Sequence, residues 1–231
     1  SSFGKIRVEG RDACAFMNYI GGGEYDVPVG KIVYTQFLNV NAGIEADVTV
    51  TRLSETAYLV VTPAATRLAD ETWMRRNQGD FNVVITDVTA GEGVLAVMGP
   101  RSRELLQKVS PADFSNVVNP FGMAQEIELG MGLARVHRVT YVGELGWEIH
   151  AENDHMPPIF DAVLAAGAKP FGMYALDSLR IEKGYRAWKG DLSTDYSILE
   201  GGLERFVRLD KPFDFVGKAA IQNEKQQGRK R

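Results

Sequence analysis

The run Gly43-Ile44-Glu45-Ala46-Asp47-Val48-Thr49-Val50-Thr51 constrains this chain more than any other segment. Successive side chains of a strand point to opposite faces. The run therefore predicts a strand with Ile44, Ala46, Val48 and Val50 against a core, and Glu45, Asp47, Thr49 and Thr51 on the other face. A sheet must pack on one side only here, which favours antiparallel pairing over a doubly covered parallel sheet. Asp47 and Thr49 then stand side by side on rigid backbone, a carboxylate beside a hydroxyl, suited to holding a polar small molecule. Taken alone, the same pattern also fits an ordinary solvated face.

The rest of the chain alternates strands and helices irregularly, which predicts an α+β architecture. Strands are expected at Phe3–Val8, Ile32–Phe37, Ile44–Arg52, Ala57–Val61, Phe81–Asp87 and Val94–Met98. A helix capped at Asp12 carries Ala13, Phe16, Met17 and Ile20 as its apolar stripe, and Gly21-Gly22-Gly23 after it reads as a flexible loop. Thr62-Pro63 has the hydroxyl-then-proline form of a helix start, with the helix running to about Asn77. Gly99-Pro100 opens another helix, and helices at Pro157–Ala166 and Met173–Lys183 are closed by Gly167 and Gly184. The middle block, residues 52–135, reads as an inserted α+β subdomain within a discontinuous domain made of 1–51 and 136–231.

Hydrophobic residues at 45% allow a sizeable core without staples. A net charge of −4 argues against nucleic acid as the main partner; the one dense basic cluster is the tail Lys225, Arg229, Lys230 and Arg231. The single cysteine, Cys14, excludes an intramolecular disulfide and any multi-cysteine metal site. His137, His150 and His155 lie too scattered to suggest zinc, so no metal is expected. No run has the length of a membrane span, and no membrane partner is expected.

Two further constellations matter. Arg135–Tyr141 and Trp147–His150 read as strands joined by a tight turn over Val142–Gly146. A turn centred on Glu144-Leu145 places Tyr141 directly across from Glu148, an aromatic plate beside a carboxylate. That pair suits a flat heterocycle with adjacent N–H donors, although an ordinary surface Tyr–Glu pair fits equally well. On the last predicted helix Asp177 and Arg180 are spaced for an i,i+3 ion pair. The aromatic, basic loop Gly184-Tyr185-Arg186-Ala187-Trp188-Lys189-Gly190 is a ligand-binding candidate, or Trp188 covers a core edge.

Together, Gly43-Ile44-Glu45-Ala46-Asp47, Tyr141-Val142-Gly143-Glu144-Leu145-Gly146-Trp147-Glu148 and Asp177-Ser178-Leu179-Arg180-Ile181-Glu182 resemble the folate-binding aminomethyltransferase family, whose type member is the T-protein of the glycine cleavage system. The wording is nearest to the folate domains of dimethylglycine and sarcosine dehydrogenases, through Ser2-Phe3-Gly4-Lys5, Tyr34-Thr35-Gln36 and Gly184-Tyr185-Arg186-Ala187-Trp188. The resemblance implies the two-domain core of a clover-leaf fold with its C-terminal barrel absent. It implies an enzyme that uses tetrahydrofolate and a one-carbon donor to make 5,10-methylene-tetrahydrofolate. The alternatives are a folate-dependent methyltransferase acting on a sulfonium such as dimethylsulfoniopropionate, or a folate-binding domain without turnover.

By the same resemblance Asp47 matches the catalytic aspartate, while Thr49, Tyr141 and Glu148 match pterin contacts. Arg180 and Trp188 match the lining of the folate side. Asn41-Ala42-Gly43 departs from a common Gly-Gly pair, and the alanine is expected to narrow the backbone options only slightly. Implied partners are an FAD oxidoreductase domain of the same polypeptide or a lipoyl carrier protein. The implied compartment is the cytoplasm, or the mitochondrial matrix in a eukaryote.

Overall fold

The structure is a computed structural model that describes residues 3–227; Ser2 and the tail residues Arg229, Lys230 and Arg231 lie outside the described residues. In chain order the elements are β1 (Phe3–Glu9), α1 (Ala13–Ile20), β2 (Ile32–Leu38), β3 (Ile44–Ser54), β4 (Ala57–Pro63), α2 (Arg67–Arg76), β5 (Val84–Asp87) and β6 (Glu92–Met98). There follow α3 (Ser102–Gln107), β7 (Ala124–Leu129), β8 (Gly132–His137), β9 (Gly146–Glu152), α4 (Met156–Ala165), α5 (Met173–Glu182) and α6 (Lys218–Gln227). The expected α+β class holds, with antiparallel pairing throughout both sheets and neither closed into a barrel.

The described residues divide into two compact units: 3–88 together with 187–227, and Thr89–Arg186. These boundaries differ from the 51/52 and 135/136 of the sequence reading. The reason is pairing: β4, assigned to the insert, is hydrogen-bonded between β3 and β1 and cannot leave their sheet.

In the first unit five strands run in the order β2-β3-β4-β1-β5. The stripe of α1 (Ala13, Phe16, Met17, Ile20) packs on Val8, Phe37, Ala46, Val48, Val50 and Val60, all buried. A second cluster joins Leu38 and Ile44 to Leu192, Ile198, Leu199, Phe215 and Ile221. Alternation along β3 follows the sequence reading to Val50: Ile44, Ala46, Val48 and Val50 are buried and Glu45, Asp47 and Thr49 half-buried, but Thr51, expected on the polar face, is fully buried.

Two expectations are corrected here. Thr62-Pro63 does not open a helix but ends β4, paired with Gly4 and Phe3, and α2 begins four residues later at Arg67. Nor is Gly21-Gly22-Gly23 a flexible loop. All three glycines are buried, Gly21 bridges to Phe37, and an added Cβ would strike Tyr25, Val207 or Val33. Glycine is required there for close approach rather than for freedom.

In the second unit four strands run in the order β6-β9-β8-β7. One face carries Val97, Ile127, Val136, Trp147 and Ile149, packed with Leu106 of α3 and with Ile159 and Val163 of α4. Trp147 is fully buried, stands edge-on to Phe114 and donates its indole N–H to Asn119 Oδ1 at 2.8 Å. The opposite face of β9 presents Glu148 and His150, and the same face of β8 presents Arg135 and His137.

Candidate functional site

On β3, Asp47 lies directly across from Gln36 of β2, whose Nε2 donates to Asp47 Oδ1 at 2.7 Å. Thr49 lies between Tyr34 of β2 and Val61 of β4. The turn into β3 is fixed by Asn39, whose Oδ1 accepts from the backbone N–H groups of Asn41 and Gly43 at 3.0 Å. Asn39 also donates to Glu45 Oε1 at 3.1 Å. At Gly43 a Cβ would come within 2.4 Å of the Thr194 carbonyl, so no other residue fits. Ala42 has φ +67°, in the left-handed region. The backbone departure from Gly-Gly is therefore larger than expected, because an L side chain in that region costs about 1–2 kcal/mol.

Glu148 is 7% exposed, on the polar face of β9. The residue across from it is His137, not Tyr141. The sequence reading extends the strand too far: β8 stops at His137, where the chain turns as the Val139 N–H donates back to the His137 carbonyl, and residues 138–145 form a long connection. Tyr141 sits in that connection, its hydroxyl donating to the Arg186 carbonyl at 2.9 Å and its ring 6.5 Å from that of Tyr185. Arg180 is buried and paired with Asp177 as its spacing predicts, Nε to Oδ1 at 2.7 Å, and its Nη1 donates to the Tyr185 carbonyl. The Tyr185-Arg186 segment thus holds both Tyr141 and Arg180 through its carbonyls. Trp188 is half-buried against the Leu38–Ile44 cluster, as the core-edge alternative has it. Asp47, Thr49 and Trp188 thus belong to one unit, and Tyr141, Glu148 and Arg180 to the other.

The histidines read as scattered do come together. His137 and His150 stack with ring centroids 4.1 Å apart and planes 19° from parallel. His150 lies between two carboxylates, with Nε2 3.7 Å from Glu148 Oε2 and Nδ1 3.9 Å from Glu92 Oε2. Arg135 grips Glu92 through both carboxylate oxygens at 2.9 and 3.2 Å, and its Nε donates to His137 Nε2 at 3.2 Å. Burial, then His150 and Arg135, pushes the His137 imidazole well below its ordinary pKa. With Nε2 accepting from Arg135, the hydrogen of neutral His137 sits on Nδ1. The signal for this network was present, since Arg135/His137 and Glu148/His150 both repeat at the two-residue period of a strand. The misplaced turn hid it.

His137, Glu148 and His150 each offer a donor atom within 4.8 Å of the others, a spacing compatible with a metal ion. The arrangement does not suit one. Face-to-face rings direct their lone pairs side by side rather than to one point, and the Arg135 guanidinium already holds His137 Nε2. The cluster is a hydrogen-bonding and charge network.

The family model for the GCVT N-terminal domain matches residues 1–211. The chain is 38% identical over 225 residues to 4-methylaminobutanoate oxidase (formaldehyde-forming) of Paenarthrobacter nicotinovorans, covering 96% of this chain and 27% of the relative. It is 34% identical to human mitochondrial dimethylglycine dehydrogenase over 238 residues, covering all of this chain and again 27% of the relative. The chain thus spans about a quarter of the length of these curated relatives. Among solved structures, glycine cleavage system aminomethyltransferase T from Bartonella henselae superposes with a TM-score of 0.88 at 25% identity, over 99% of this chain and 62% of that one.

Proposed function

The chain belongs to the GCVT N-terminal domain family, and on that premise we propose that it binds tetrahydrofolate and transfers a one-carbon unit to it. The observation that carries this reading is Glu148, a buried carboxylate on the polar face of a rigid sheet. A carboxylate there is stable only with donors facing it. The amino group and neighbouring ring N–H of a pterin supply two, in the parallel geometry a carboxylate accepts. Tyr141, held by the Arg186 carbonyl, offers an aromatic plate and Arg180 a wall in the same unit, while Thr49 and Trp188 enter this reading on the family resemblance alone.

Bound folate supplies two nucleophilic nitrogens that take up the carbon as 5,10-methylene-tetrahydrofolate. With formaldehyde as donor, the carbonyl oxygen leaves as water with the two nitrogen protons. With an iminium, the amine leaves with one proton and the other is released. Asp47 is the group for that proton and for the cationic electrophile, its carboxylate aimed by Gln36. Holding the reactants together contributes more, up to roughly 7–11 kcal/mol of the barrier. Relatives named as a formaldehyde-forming oxidase and as dehydrogenases support an oxidoreductase domain or partner, FAD-dependent in this reading, as the source of the electrophile. An aminomethyl group on a lipoyl carrier is the other source that fits this chemistry. The compartment proposed is the cytoplasm or mitochondrial matrix.

The test is calorimetric titration with tetrahydrofolate under anaerobic conditions, alongside turnover with formaldehyde. Glu148→Ala is expected to lose binding, and Asp47→Asn to keep binding while losing methylene-folate formation. Unchanged binding by a folded Glu148→Ala variant would remove the pterin assignment. Full turnover by Asp47→Asn would remove Asp47 from the mechanism.

A further inference from the structure

His150 is 1% exposed, and neither ring nitrogen has a hydrogen-bond partner. A buried imidazole left so is costly unless a small movement pairs it. Its neighbours determine which movement. Own-strand Glu148 faces Nε2, Glu92 of β6 faces Nδ1, and Val94 of β6 and Arg135 of β8 lie across from it. His137 covers its ring. Glu92 is held by Arg135 through both oxygens, and Arg135 also holds His137. Three of the four neighbours with polar side chains are thus tied to one another, and Glu148 is the one outside that tie.

We propose that His150 is a positioning residue for Glu148: its Nε2–H sets the direction in which the carboxylate meets a ligand's paired N–H donors. The gap of 3.7 Å from Nε2 to Glu148 Oε2 closes to hydrogen-bond length with a carboxylate movement of under about 1 Å. The stack on His137 and the Arg135–Glu92 pair keep the imidazole from following the carboxylate away. The lone pairs of a carboxylate lie in its own plane, and fixing one oxygen from behind fixes the direction of that plane, which two parallel N–H bonds require. The inference rests on the pterin-binding reading of Glu148.

Substitutions on the full chain separate the two. His150→Phe keeps a stacking ring and removes both nitrogens, while His150→Gln restores an N–H donor near the position of Nε2. We expect His150→Phe to weaken tetrahydrofolate binding about tenfold or more, the scale of one hydrogen bond to a charged group. His150→Gln should recover to within about threefold of wild type. His150→Asn, whose shorter amide reaches only the Nδ1 side, should not recover. Glu148→Gln measured alongside should lose binding. If Glu148→Gln loses binding and a folded His150→Phe binds as wild type does, His150 has no positioning role and the Glu148 reading stands. If Glu148→Gln binds normally, both fall. Should His150→Phe fail to fold, the ¹⁵N resonances of the wild-type His150 ring decide: Nε2 must shift on addition of tetrahydrofolate, and an unmoved Nε2 overturns the proposal.

Discussion

Each unit of this molecule buries charge, and the two do it differently. In the unit containing β3, Lys211 is 5% exposed and its ammonium donates to the carbonyls of Asn18, Gly21 and Gly23 at 2.7–2.8 Å. Its head lies 4.7 Å from the ring centroid of Phe215. Three N–H bonds meet three backbone acceptors, and the arrangement is complete. In the Thr89–Arg186 unit, Arg135, Glu92, His137, His150 and Glu148 form a network of side chains in which His150 and the Nδ1 of His137 are left without hydrogen bonds. A satisfied buried charge is read as structure. A buried ring left with unpaired nitrogens beside such charges, on the polar face of a sheet, is read as a place prepared for something else. The difference teaches where to look for function: not where charge is buried, but where its hydrogen bonding is unfinished.

The largest test of that contrast is Lys211→Met. It leaves three buried carbonyls without donors, each a loss of about 1–3 kcal/mol, so denaturant unfolding should show a loss of about 3 kcal/mol or more. Arg135→Met should cost less, about 2 kcal/mol, because the Arg135 and Glu92 side chains keep 15% and 26% of their surface in solvent. Equal losses would mean that the two arrangements are equally structural.

The pH dependence separates them next. Burial, helped by the charge of Lys218, pulls the Lys211 ammonium down to about 7 against the opposing charge of Glu24. Between there and its unfolded value near 10.5 the unfolded chain binds the extra proton, so stability rises with pH by up to about 1.4 kcal/mol per unit. His137 is also depressed, so below about pH 6.5 the unfolded chain again binds more protons and stability is lost as the pH is lowered. Lys211→Met should flatten the alkaline limb alone, and His137→Phe the acid limb alone. One substitution moving both limbs would deny that the two arrangements are independent.

What could be read from the chain follows the same division. The alternation of β3, the stripe of α1 and the Asp177–Arg180 pair are local in sequence, and each is found. The bonds from Lys211 span about 190 residues, and no local pattern announces them. The packing of the glycine run is hidden for the same reason, since part of it comes from Val207. The partner of Glu148 was missed because strand register depends on where β8 ends. That end lies where the Val139 N–H turns back to the His137 carbonyl, beside a strand, β7, that no pattern in the sequence marks.

The smallest test concerns the turn that delivers Asp47. Ala42 sits at φ +67° and is 1% exposed. Replacing it with glycine relieves about 1–2 kcal/mol of left-handed strain. Against this stand about 0.5–1 kcal/mol of added chain entropy in the unfolded state and about 0.8 kcal/mol for one buried methyl group. The terms nearly cancel, so Ala42→Gly should change stability by less than about 1 kcal/mol by denaturant unfolding. Gly43→Ala, by contrast, drives a methyl into the Thr194 carbonyl and Asn39 and must displace backbone. If Ala42→Gly were as disruptive as Gly43→Ala, the alanine methyl in the Leu38–Ile44 cluster, rather than the backbone angle, would be what fixes the entry into β3.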